Sequence, residues 1–236
     1  MIRLASFLLA SYIRSYRYFA PVGSMLIAMM LLYSYKPNPV MDSYAVTSAF
    51  LFVGGAWLSF SFLNHAGAVL EQLSVIHAGS MRKYAASQML ALLAVIVFLS
   101  AFFLLYPVVM NMFAETVSAR QWLIASSGHL ALGMLGAGIS YFLQAAYIRN
   151  ISRATAILLI IVILSIGARQ IAAKLPEGLS WIRWAFPPVA EMIDTLMRSD
   201  TALLTGVWGV IGYTYLYAFA LAAAYWIFSA YRDART

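Results

Sequence analysis

The sequence predicts an all-α integral membrane protein with six transmembrane helices and three shorter helical segments beside them. Three observations point there. First, 64% of the 236 residues are hydrophobic and only 10% are charged, whereas a soluble domain is about half apolar and about a quarter charged. A chain this apolar cannot cover its own core with polar groups. Second, the apolar residues fall into six runs, each long enough to supply the roughly 20 residues that cross a bilayer. Third, the net charge of +7 can be placed wholly on one side of a membrane.

The six runs are Tyr18 to Tyr35, Tyr44 to Leu70, Tyr84 to Phe113, Gln121 to Ile148, Ala154 to Ala172 and Leu203 to Ser229. Polar punctuation separates them. Lys36-Pro37-Asn38-Pro39 ends the first, Glu115 to Arg120 divides the third from the fourth, and Arg149 to Arg153 divides the fourth from the fifth. With the N-terminus in the cytoplasm, the inner segments hold Arg3, Arg14, Arg17, Arg82, Lys83, Arg149, Arg153, Arg232 and Arg235 against Glu71 and Asp233. The outer segments hold Lys36, Arg120, Arg169, Lys174, Arg183 and Arg198, balanced by six acids. Basic residues near span ends favour the cytoplasmic side. The expectation is a multi-pass protein of the cell membrane with both termini inside and one transmembrane domain over 1–236. The N-terminal apolar run is expected to be retained, because Arg14 and Arg17 follow it with no small-residue cleavage site before them.

Three shorter segments do not span. Ile2 to Tyr16 places Arg3, Arg14 and Arg17 within about a 60° arc at 100° per residue, with Leu4, Leu8, Tyr12 and Phe19 roughly opposite. Such an amphipathic helix is expected to lie in the membrane interface, within residues 1–17. Glu71 to Lys83 is a semi-polar stretch between spans two and three. Glu71 at its start and Arg82 and Lys83 at its end would suit a helix dipole, and Leu73, Ile76 and His77 share a face. The third segment, 175–200, lies between spans five and six. Pro187-Pro188 opens a helix there, and Val189, Met192, Ile193, Leu196 and Met197 form its apolar stripe. Trp181 and Trp184 just before it are expected interface anchors.

The chain carries little that could be chemistry. It has no cysteine and no G-x-x-x-x-G-K-[S/T] phosphate loop. His65, His77 and His129 are far apart and lack acidic neighbours at ligand spacing, so no metal site is expected. Ser126 and His129 stand too close on one helix to form a nucleophile and base on facing spans. Asn64, His65 and His129 are the polar residues expected inside spans, either in a pathway or bonded to a neighbouring helix. Gly128, Gly133, Gly136 and Gly138 in span four, and Gly54, Gly55 and Ser59 in span two, are read as close-packing positions. No nucleic-acid partner is expected.

The order of these elements resembles the permease subunit of type-2 ABC exporters, in which an interfacial helix precedes six spans. Leu70-Glu71-Gln72-Leu73-Ser74-Val75-Ile76-His77-Ala78-Gly79-Ser80 resembles that family's acidic-then-apolar coupling segment before span three. Phe186-Pro187-Pro188-Val189 and the helix after it resemble the family's outer helix. The resemblance covers the whole chain and rests on element order and loop placement. It implies a pathway-forming subunit that is not itself an enzyme, two permease copies or paralogues, and two cytoplasmic ATPase subunits that bind ATP and Mg. It further implies contact with the ATPase through Glu71, Leu73, Ile76, His77, Arg82 and Lys83. The apolar, aromatic-rich spans suit export of an amphipathic or hydrophobic substrate. A non-transporting scaffold or accessory subunit, and an intramembrane lipid enzyme, are the alternatives.

Overall fold

A computed structural model describes residues 1–174 and 186–233. Among these residues the secondary structure is helical, with one isolated bridge between Asn38 and Phe113. The helices in chain order are α1 Ile2–Arg14, α2 Phe19–Leu32, α3 Val40–Leu63, α4 Ala68–Ala78, α5 Met81–Val109, α6 Ala119–Ser140, α7 Ile151–Ala172, α8 Val189–Met197 and α9 Leu204–Asp233. The starts of the long helices are locally encoded. Ser80 accepts a hydrogen bond from Lys83 N–H at α5, Asn150 accepts from Arg153 N–H at α7, and Ser118 with Gln121 forms a reciprocal capping box at α6.

Five helices, α3, α5, α6, α7 and α9, are long and apolar enough to cross a bilayer, and the architecture is that of a multi-pass membrane protein. The first expected span is shorter than the rest: α2 has 14 residues. It begins only after the turn at Tyr16, whose φ of 57° breaks the helical path from α1. Spans two and four end earlier than their apolar runs, at Leu63 and Ser140, because Asn64 and a three-residue 3-10 turn at Tyr141–Leu143 close them.

Helices α3 and α6 form the centre, with 67% and 72% of their apolar windows buried against 22% for α7 and α9. They approach at backbone distance. A Cβ on Gly136 would lie 2.5 Å from the Phe52 carbonyl oxygen, and one on Gly55 would meet Gly133 backbone. The small residues read as packing positions do pack: Gly128 faces Leu196 and Met192, Gly133 faces Ile96 and Leu51, and Gly54 faces Met25. Hydrogen bonds between spans fix the register. Ser140 Oγ donates to Ala56 O at 2.8 Å, Tyr44 Oη to Leu104 O at 3.1 Å, and Tyr215 Oη to Ser127 O at 3.1 Å. The outward faces of α5, α7 and α9 carry exposed Val97, Phe98, Leu159, Ile160, Ile163, Leu216 and Phe219, a surface suited to lipid.

Helix α1 buries Ala5, Leu8 and Tyr12 on the bundle, mainly against α5. That face is covered by protein, while Phe19, expected on it, is exposed, as are Ile2, Phe7 and Ile13 elsewhere on the helix. Helix α8 has the bounds its apolar stripe predicts. Its Val189, Met192 and Leu196 are fully buried among α3, α6, α7 and α9 at one end of the bundle, while Met197 is exposed.

Candidate functional site

Helix α4 lies between two spans, at the end of the bundle that also carries α1. Gly67 starts it in extended conformation and Gly79 stops it at φ 76°, a left-handed turn that glycine adopts without strain. Ser80 then caps α5 at once. This boundary corrects the sequence reading of Glu71 to Lys83 as one helix. Arg82 and Lys83 stand in the first turn of α5, where the dipole disfavours cations, and do not complement the end of α4. Only Glu71 and His77 occupy the first and last turns of α4.

The two faces of α4 differ. Ser74 is buried and its Oγ donates to Leu70 O at 2.7 Å, while Val75 and Ala78 pack toward the core. Val69, Leu73 and Ile76 point the other way and are 71%, 58% and 76% exposed. At 100° per residue they fall within about a 60° arc. His77 borders them and is exposed. Together they form an exposed apolar stripe on a short polar-flanked helix.

Around it the predicted residues separate into groups. Arg3 of α1, His77 of α4 and Lys83 of α5 line one recess of about 380 Å³. Arg82 turns aside, its guanidinium carbon 5.0 Å above the Trp226 ring. Arg14 is exposed at the end of α1. Arg17 donates to Asn64 O at 2.9 Å and so belongs to a different contact.

That contact relocates Asn64 and His65. They lie beyond the end of α3, not within a span, because the helix stops at Leu63. Asn64 Oδ1 accepts from Ala145 N at 2.7 Å and its Nδ2 donates to Leu143 O at 3.3 Å, joining the ends of α3 and α6. His65 Nδ1 faces the Phe62 carbonyl, which can only accept, so Nδ1 carries the proton and Nε2 accepts from Ser11 Oγ at 3.3 Å. Its ring meets Tyr12 edge-on at 5.4 Å. Burial holds the His65 pKa below 6.5, the Phe62 carbonyl opposes this, and Arg17 adds to it. Burial likewise raises the Tyr12 pKa.

His129 lies inside α6 and is fully buried. Its Nδ1 donates to Ala125 O at 2.8 Å and, in the neutral ring, its Nε2 accepts from Thr47 Oγ1 at 2.9 Å. It thus serves as an α3–α6 contact. At the α8 end, Arg120 donates to Ser199 O at 2.6 Å and to Ala202 O at 2.9 Å. Arg169 pairs with Asp194 at 2.7 Å. Pro187 and Pro188 are buried beneath the helix start and Ile193 is partly buried. Trp181 and Trp184 lie outside the described residues. Among the described residues no three His, Asp or Glu side chains converge as metal ligands.

One cluster was not singled out from sequence. Tyr225 Oη donates to Gln88 Oε1 at 2.6 Å, and Gln88 Nε2 donates to Tyr84 Oη at 3.2 Å, with Tyr141 stacked on Tyr225 at 4.8 Å. The available signal was Gln88 itself, an amide near the start of the apolar run of span three. Comparison with protein-family models, curated proteins and solved structures gives no match.

Proposed function

We propose that the chain is the permease subunit of a type-2 ABC exporter, working with a separate cytoplasmic ATPase. The observation that carries this reading is the exposed apolar stripe Val69, Leu73 and Ile76 on a helix held between two spans. A chain without a phosphate-binding loop must receive ATP energy by contact, and a short helix in this position transmits movement to two spans at once. An apolar helical stripe fits a groove on a partner. Glu71 and His77 flank it, while Arg3 and Lys83 supply charge beside it; Arg14 and Arg17 lie farther along α1. In this orientation α4 and both termini are cytoplasmic and α8 closes the outer end. The centre of the chain is filled by α3 and α6, so the pathway for an amphipathic or hydrophobic substrate runs between this chain and a second copy or paralogue. ATP and Mg bind the partner.

Replacing Ile76 with Asp tests the reading. A carboxylate buried at such a contact without a partner costs several kcal/mol. The variant is expected to keep the fold yet lose co-purification with a co-expressed Walker-motif ATPase encoded beside it, or lose substrate-stimulated ATP hydrolysis. Normal assembly and normal transport by the Ile76→Asp protein would overturn the coupling role.

A further inference from the structure

Between α5 and α9 lies an open groove of about 320 Å³, floored by Met134 and Ala137 of α6. Its walls are Leu90 and Leu93 on one side and Phe219 and Ala222 on the other. It exists because α9 presents alanines there and α6 presents Ala137, so facing helices leave a slot that no side chain fills. Leu90 and Leu93 are each 39% exposed and Phe219 is 57% exposed, so the slot opens sideways on the apolar perimeter of the bundle. At one end Met1 lines both this groove and the recess formed by Arg3, His77 and Lys83. Among the described residues no carboxylate lies within 4 Å of Arg3 or Lys83. Arg82, stacked over Trp226 of α9, adds a third cation at the same end.

We propose that this composite groove binds one anionic phospholipid, an acyl chain lying between α5 and α9 and the phosphate held by Arg3 and Lys83. The chemistry of the occupant follows from the two halves. An apolar slot open to the bilayer is solvated by hydrocarbon, and basic recesses at span ends retain lipid headgroups. A size of a few hundred cubic ångströms is that of a single small-ligand site. The site shares Arg3 and Lys83 with the surface beside the proposed ATPase contact, but lipid binding itself needs only the bundle and the bilayer.

Native mass spectrometry of the full chain, released from detergent containing equimolar phosphatidylglycerol and phosphatidylcholine, tests it. One retained phosphatidylglycerol is expected, at several-fold excess over phosphatidylcholine. Replacing both Arg3 and Lys83 with Gln, which are exposed positions, should bring that ratio close to one. Ala222→Leu, which narrows the slot, should lower retention of both lipids, with folding checked by gel filtration. Equal retention of the two lipids, an unchanged preference in R3Q/K83Q, or a lipid-free dimer would each overturn the proposal.

Discussion

Gly136 is the residue at which the fold is least forgiving. An added methyl would sit 2.5 Å from the Phe52 oxygen and 3.0 Å from Ala56 N, both backbone atoms that no rotamer change can move. Overpacking of this kind costs about 1–3 kcal/mol. Gly136→Ala should therefore lower the thermal midpoint of the detergent-purified protein, and Gly136→Leu should prevent folding. Gly212→Ala is the matched control, since a Cβ there meets nothing within 4 Å. Equal loss from the two alanine variants would show that backbone approach is not what Gly136 provides. At this scale the sequence is informative about small residues, since the four glycines of span four read as packing positions do pack, although Gly206, Gly209 and Gly212 of α9 meet nothing within 4 Å. It is silent about polar pairings. His129 and Thr47 are 82 positions apart, and nothing local says that one faces the other.

Elements respond as units, and α1 is the one whose attachment can be titrated. His65 fills the joint between Tyr12, Ser11 and the end of α3 in its neutral form, and burial keeps its pKa below the usual 6.5. Protonation therefore favours the arrangement in which the ring leaves the joint. Docking of α1 is complete above pH 6.5 and weakens as pH falls below that value. A spin label at exposed Ile13 should become more mobile on acidification from pH 7 to 5, and His65→Gln should remove the dependence. Constant mobility across that range in the native chain would refute it. The α4–α5 boundary shows what was legible in such elements. Gly79 followed by Ser80 is a helix stop followed by a helix start. The charge of Arg82 and Lys83 drew attention past that signal, to a role at the wrong helix end. The α8 limits, by contrast, were readable from Pro188 and a five-residue stripe. That the stripe would be covered by α3, α6 and α9 depended on a long-range contact the local pattern does not contain.

For the whole molecule, the prediction concerns sidedness. Gln72 on α4 and Thr116 before α6 are both exposed and lie at opposite ends of α5. Single cysteines at these positions, in a chain with no native cysteine, should react with an impermeant maleimide from opposite sides. Gln72→Cys is expected to be reachable only from the cytoplasm. Reaction of both from outside would reverse or break the proposed orientation. The long spans were legible because lipid demands long apolar runs. The length of α2 was not, because Tyr18, Tyr33 and Tyr35 count as apolar in composition while falling outside the helix. At about 1.5 Å per residue its 14 residues rise only about 21 Å, well short of the roughly 30 Å hydrocarbon layer of a typical bilayer. Tyrosines at both ends sit naturally at headgroup depth. If α2 crosses the bilayer, as the sequence predicts, thinning of the lipid beside it would meet them at a cost of a fraction of a kcal/mol per ångström. A spanning α2 would then carry a preference for membrane thickness: heated in vesicles of 14-carbon lipids the protein should outlast the same protein in 22-carbon lipids, and the reverse order would remove α2 as a thickness gauge.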